Sequence, residues 1–324
     1  MADSIYSKVD EYGFQRGEDF DYRVYGIFMS EYIRTLTRRA QRWNVVFKDN
    51  KFKRSGILKR FIRKGIPADL RTICWMTVSG AERLKNESQL NYQLLKLKYS
   101  HQVIEVIQID LPRTFPDNIY FANNEGYSDM LYNILSVFAH QNSEVGYCQG
   151  LNYIAGLLLL ATKHEMVTFW LLKTLVEEIL PKYYIRTMTG LLTDFDVLNE
   201  IVQKYEPQIH RHIQNIGMPW AMGTTKWFIC IYADVLPTET VLRVWDCLFY
   251  EGSKILLRVA LALIRIHKEA ILQTSDLSEL MSVFKNMKNH PRVIDCHGFI
   301  RDIFNLSSKL SSNRIEKLRL KHQK

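Results

Sequence analysis

Residues 128–140, S-D-M-L-Y-N-I-L-S-V-F-A-H, decide the fold class. Leu131, Ile134, Leu135 and Phe138 recur at spacings of three and four, so they fall on one face of a helix. Ser128 stands where a side-chain oxygen can cap that helix. The same rhythm returns along the chain. Residues 164–180, H-E-M-V-T-F-W-L-L-K-T-L-V-E-E-I-L, repeat it as far as Pro181. Phe195, Leu198, Ile201, Val202 and Tyr205 share a stripe behind Thr193, a second candidate cap, and the stripe ends near Pro207. P-T-E-T at 237–240 opens a helix that stops before Gly252. Ser253 opens the next, and further helices are expected after Ser275 and after residue 297.

Residues 103–109, V-I-E-V-I-Q-I, are β-branched enough for a strand. They have no second strand of like quality to pair with, and a lone strand is not stable. The segment reads as a helix end or an extended connector. Loops are expected at 114–127, 142–149 and 181–193. With only 15 Gly and 8 Pro in 324 residues, the chain lacks the turns of a large β protein. The expectation is an all-α protein with at least ten helices.

Apolar residues are 47% and charged residues 24%, an ordinary globular balance. The longest near-continuous apolar run, residues 153–161, is too short for a bilayer, which needs about 20 residues. The start, M-A-D-S-I-Y-S-K-V-D, has no apolar core of a secretory signal. The five cysteines, Cys74, Cys148, Cys230, Cys247 and Cys296, include no C-x-x-C pair. That pattern suits reduced cytosolic thiols, not a disulfide framework or a zinc site.

The net charge of +9 is unevenly placed. Residues 34–64 hold twelve bases and one acid, Asp49; residues 309–324 hold six bases and one acid, Glu316. The remainder is net acidic. Such ends attract phosphate, on nucleic acid or on an anionic membrane. Solvated faces of terminal helices explain the same residues, because Trp43, Val45, Val46, Phe47, Ile57, Leu58, Phe61 and Ile62 are interleaved with the bases. No zinc-finger or RNA-binding string accompanies them, so no specific nucleic acid is expected. A weak peripheral membrane contact through residues 34–64 stays open.

G-x-S-x-G, H-E-x-x-H and G-x-x-x-x-G-K-[ST] are absent. Two loops carry the polar residues of interest. Arg113 lies in I-Q-I-D-L-P-R-T-F-P, residues 107–116, stiffened by Pro112 and Pro116. It could be held ready for an anion, or it could pair with Asp110 or Asp117. Gln149 lies in E-V-G-Y-C-Q-G-L-N-Y, residues 144–153, between Gly146 and Gly150. It could meet a partner closely, or merely cap the following helix. Cys148 reads as a small buried hydrophobe.

Taken together these blocks resemble the TBC domain of Rab GTPase-activating proteins. The matching pieces are G-I-P-A-D-L-R-T-I-C-W-M-T-V-S-G at 65–80, then Ile107, Asp110 and Arg113 as I-x-x-D-x-x-R, then Tyr147, Gln149 and Gly150 as Y-x-Q-G. W-F-I-C at 227–230, Leu236-Pro237 and R-V-W-D-C-L-F-Y-E-G-S-K at 243–254 follow in order. The resemblance implies a multi-helix domain over 65–254. A basic helical extension, 1–64, would precede it, and a helical part, 255–324, would pack on it.

The resemblance also implies a function: stimulating GTP hydrolysis by a GTP-bound Rab-family small GTPase. Arg113 would be an arginine finger and Gln149 a glutamine finger. Asp110 would orient Arg113, and Tyr147, Gly146 and Gly150 would shape the glutamine loop; Arg71 and Trp75 read as scaffold. GTP and Mg²⁺ would belong to the partner, so no cofactor or metal of the chain's own is expected, and it would not itself hydrolyse nucleotide. It would act in vesicle trafficking as a cytoplasmic monomer, at most peripheral at endomembranes. The alternative is a non-catalytic scaffold or effector that holds a GTP-loaded Rab. It shares the fold and partner, and intact Arg113 and Gln149 favour catalysis over it.

Overall fold

The computed structural model describes residues 8–18, 20–48, 51–96, 101–123 and 126–323. Among these residues the regular structure is helical, from Tyr22–Val46 to Ser312–His322, and the only β pairing is two isolated bridges, Val9 with Gln15 and Phe14 with Asn118. The all-α expectation holds.

The deciding segment forms the helix Tyr127–Gln141, with Leu131, Ile134, Leu135 and Phe138 buried as the periodicity requires. Its start is not where Ser128 suggested. Gly126, at φ +80°, is the N-cap, and the Ser128 hydroxyl instead donates to the Phe121 carbonyl at 3.4 Å. Thr193 is likewise not a cap: the helix Thr189–Tyr205 begins a turn earlier, behind Met188. Residues 103–109 lie in the helix His101–Asp110, which packs on Tyr127–Gln141. Packing of one face, not β propensity, settles that segment. Among its described residues the loop at 114–127 contains one short helix, Ile119–Ala122. The helix Thr238–Glu251 does start behind Pro237 and stop at Gly252.

The apolar run at 153–161 becomes the helix Leu151–Thr162, buried on almost every side between Tyr127–Gln141, Glu165–Thr174 and Ala68–Ser79. Fully burying each of its leucines contributes about 1.5–3 kcal/mol. That burial explains why its hydrophobicity runs all round the helix instead of forming a stripe.

A buried carboxylate joins the two ends of the core. Asp246 Oδ1 accepts from Trp75 Nε1 at 2.9 Å and from Arg71 Nε at 3.2 Å. Its Oδ2 accepts from the Ile66 amide at 3.3 Å and faces Arg243 Nε at 3.6 Å. A fully buried charge is tolerated only when paired in this manner. Residues 65–80 are thereby fixed to the helix that carries residues 243–251. Arg71 and Trp75 are scaffold, as their sequence context suggested.

The segment before the first helix is part of this scaffold. The Tyr12 hydroxyl accepts from Arg71 Nη1 at 2.8 Å and donates to Glu239 at 3.2 Å. The Tyr12 carbonyl accepts from Asn118 Nδ2 at 2.9 Å, and Gly13 lies so close to Tyr120 that a Cβ would sit 2.5 Å from its ring. Phe14 meets Phe115 edge-on at 5.2 Å. These contacts support the far side of the turn that holds Arg113.

Candidate functional site

The helix His101–Asp110 runs into a single 3₁₀ turn, Leu111–Arg113, which leaves Arg113 exposed. Pro112 lies in that turn, where its fixed φ fits and its missing N–H costs nothing. The chain then dives inward: Thr114 and Phe115 are buried. Phe115 adopts φ +50°, a backbone conformation uncommon for a bulky residue. Its ring packs against Phe14, Phe121 and Tyr153, which hold it there.

The second loop joins Tyr127–Gln141 to Leu151–Thr162. Asn142 ties its base, accepting from the Val145 amide at 3.1 Å and donating to Glu177 at 2.8 Å. Gly146 turns the chain at φ +59°. Gln149 is exposed. Gly150, at φ +110°, is where glycine is required, since a Cβ there would stand 3.1 Å from the Ile229 carbonyl oxygen. The loop thus rests on the backbone of the W-F-I-C segment.

The two loops are fastened to each other. The Tyr147 hydroxyl donates to Asp110 Oδ2 at 2.7 Å. Asn152 Nδ2 donates to Thr114 Oγ1 at 2.8 Å, while Asn152 Oδ1 accepts from the Gly150 amide at 3.0 Å. The Tyr153 hydroxyl donates to the Arg113 carbonyl at 3.2 Å. Gly156 completes the fit: a Cβ there would meet Thr114 at 3.1 Å and Phe115 at 3.2 Å. Burial, and then the Asp110 carboxylate as acceptor, push the Tyr147 hydroxyl well above its ordinary pKa. It therefore remains a donor at neutral pH.

This arrangement revises the reading of Asp110. Its carboxylate is buried and holds Tyr147, not Arg113. Among the described residues Arg113 makes no ion pair, with Asp110, Asp117 or any other acid, so its guanidinium keeps its full donor set. Thr114, Gly156 and Ile229 were not singled out from sequence. The only signal for Thr114 was its place beside Arg113, and for Gly156 an isolated glycine within an apolar helix.

The site has little chemistry of its own. Cys148 is half-buried, and burial pushes its thiol up to about 11. All five cysteines are unpaired thiols. Among the described residues no group of three His, Cys, Asp or Glu side chains is placed to hold a metal ion. Val106 and Ile109, on the helix leading to Arg113, are exposed. What these exposed residues offer is a guanidinium without an ion pair, a primary amide and apolar side chains.

Comparison with known proteins gives the family. Residues 68–272 match the model of the Rab-GTPase-TBC domain. The chain is 45% identical over 317 residues to growth hormone-regulated TBC protein 1-A of Danio rerio, covering 97% of this chain and 89% of that one. It is 43% identical over 315 residues to growth hormone-regulated TBC protein 1 of Homo sapiens, covering 96% and 94%. Among solved structures, the Chlamydomonas flagellar RabGAP TBC domain superposes with a TM-score of 0.77 at 31% identity, covering 92% of this chain and 99% of that one. The Ypt/Rab-GAP domain of Gyp1p shares the fold, with a TM-score of 0.71 at 20% identity over 85% of this chain and 99% of its own. With its blocks in order and its two loops joined, the chain belongs to the Rab-GTPase-TBC domain family.

Proposed function

We propose that the chain stimulates GTP hydrolysis by a GTP-bound Rab-family GTPase, with Arg113 and Gln149 entering the partner's site in trans. One observation carries the reading: both side chains are exposed on loops that the Tyr147–Asp110 and Asn152–Thr114 hydrogen bonds fasten together.

Phosphoryl transfer builds charge on the phosphate oxygens and needs an aligned water. A guanidinium placed at that charge is worth about 10³–10⁵ in rate. Arg113, with no carboxylate to neutralise it, supplies two parallel N–H donors to those oxygens. The Gln149 amide accepts from the attacking water through its oxygen and donates to a γ-phosphate oxygen through its nitrogen. It takes the place of the partner's own glutamine. Loops already fixed in position spend little binding energy on ordering them in the transition state. Nucleotide and Mg²⁺ arrive with the partner.

A holding scaffold would bind the same GTPase, but it has no need of a guanidinium left unpaired beside a buried carboxylate. The discriminating experiment is a panel of GTP-loaded Rab proteins in single-turnover hydrolysis. Stimulation of at least one member supports catalysis, and binding without stimulation across the panel supports the scaffold.

A further inference from the structure

Both basic ends of the chain divide into bases tied to the body and bases left in solvent. At the C-terminal end two of the six bases are tied to the body, Arg319 to Asp194 at 2.7 Å and Lys321 to Glu200 at 2.8 Å, and His322 meets the same Glu200 at 2.7 Å. Of the twelve bases at 34–64, four are likewise structural. Arg39 meets His297, Arg54 bonds the Val78 and Tyr250 carbonyls, and Lys59 and Arg63 pair with Glu251. Seven are not. Arg34, Arg38, Arg42, Lys48, Lys53, Arg60 and Lys64 are exposed, and among the described residues none makes an ion pair.

Five of these share an arrangement on two helices. On the helix Tyr22–Val46, Arg34, Arg38, Gln41 and Val45 follow one another at spacings of four and three along the outer face, with Arg42 beside them. On the helix Gly56–Lys64, Ile57, Arg60 and Lys64 do the same. Trp43 and Phe47 pack against Phe61, with ring centroids at 5.8 and 5.3 Å, so the two helices lie together and turn these faces outward. Among the bases stand aliphatic side chains left in water: Val45 is 79% exposed and Ile57 57%.

We infer that this face docks on an anionic lipid bilayer, the bases against the headgroup phosphates and Val45 and Ile57 at the acyl boundary. Charge complementarity requires a polyanion. Exposed aliphatic residues among the bases select a lipid surface over nucleic acid, which would call for aromatic stacking or base-edge contacts. Each base within a Debye length of such a surface contributes roughly a fivefold factor in binding. The inference is independent of the catalytic reading, because none of these residues belongs to the Arg113–Gln149 site.

The test is sedimentation of the full chain with vesicles of phosphatidylcholine, with and without one-third phosphatidylserine. Binding should need phosphatidylserine and fall steeply as salt rises above about 0.1 M. The triple change Arg34→Glu, Arg38→Glu, Arg42→Glu should weaken it at least about 100-fold. Val45→Ser with Ile57→Ser should weaken it about tenfold. Both variants should keep the wild-type circular dichroism and the wild-type stimulation of a soluble GTPase. Arg113→Ala should bind vesicles like the wild type. Equal binding to neutral vesicles, or undiminished binding by the folded triple variant, would overturn the inference. So would undiminished binding by the serine variant, or tighter binding to double-stranded RNA than to the anionic vesicles.

Discussion

The Tyr147 hydroxyl bonds Asp110 Oδ2 at 2.7 Å across 37 positions of sequence, and this fastens the loop of Gln149 to the turn of Arg113. Because the carboxylate is buried, losing the bond leaves a polar group unsatisfied at a cost of about 1–3 kcal/mol. Tyr147→Phe should therefore lower the stimulated hydrolysis rate about tenfold while binding to the GTP-loaded partner stays near wild type. Asp110→Asn still offers an oxygen to the hydroxyl and should lose less. Equal losses in both variants, or a change confined to affinity, would show that the bond does not position the fingers.

Arg113→Lys keeps the charge but loses the planar fork. Both Arg113→Lys and Arg113→Ala should lower the stimulated rate by at least about 10²-fold. Partner affinity should change far less, since the interface extends well beyond one residue. Single-turnover rates paired with equilibrium binding separate the two quantities. A lysine variant as active as the wild type would remove the bidentate contact from the account.

Asp246 receives hydrogen bonds from Arg71, Trp75 and the Ile66 amide. Asp246→Ala leaves Arg71 and Arg243 without this carboxylate in the core and should cost about 3–5 kcal/mol. Chemical denaturation should show this as a lower midpoint. A midpoint unchanged from wild type would mean that the network does not hold the ends of the domain together.

Glu251 sets an acid limit on stability. Burial alone would raise its carboxyl, but hydrogen bonds from Arg63 and Lys254 outweigh that and hold it down to about 2, against an ordinary 4.5. A carboxyl depressed in the folded state contributes its full stabilisation above the ordinary value and loses it as pH falls from there toward about 2. The whole effect is on the order of 3 kcal/mol. Thermal unfolding of Glu251→Gln should be less pH-dependent than that of the wild type across this window. Parallel curves would contradict the assignment.

Cys148 adjoins Gln149 but is held as a neutral thiol at physiological pH, with its pKa raised by burial to about 11. Only the thiolate is reactive. Cys148→Ser should keep most of the stimulated rate, and the wild-type thiol should alkylate slowly at neutral pH. Loss of all activity in a folded serine variant would reopen a role for the thiol.

How far the sequence could be read follows from which forces act locally. The helix Tyr127–Gln141 was legible because one face packs and its period is visible. Its first residue was not, because Gly126 at φ +80° starts it and a serine two residues further on looks like a cap. Residues 103–109 stayed ambiguous until a neighbouring helix supplied the packing partner. Arg113 and Gln149 could be picked out from their loops and from the family resemblance. Their coupling could not, since Tyr147 with Asp110 and Asn152 with Thr114 meet only after the chain has turned through the helix between them. The role of Asp110 was misread for the same reason: three positions from Arg113 it looked like that residue's partner, whereas the fold turns its carboxylate toward Tyr147.

The central claim is that Gln149 replaces the catalytic glutamine of the partner. The most direct measurement is single-turnover GTP hydrolysis by a responsive Rab whose own switch glutamine has been replaced by alanine. The wild-type chain should still stimulate this altered partner, and Gln149→Ala should fail on both the altered and the normal partner. No stimulation of the altered partner by the wild-type chain, together with full activity of Gln149→Ala on the normal one, would contradict the two-finger account and leave Arg113 as the sole finger.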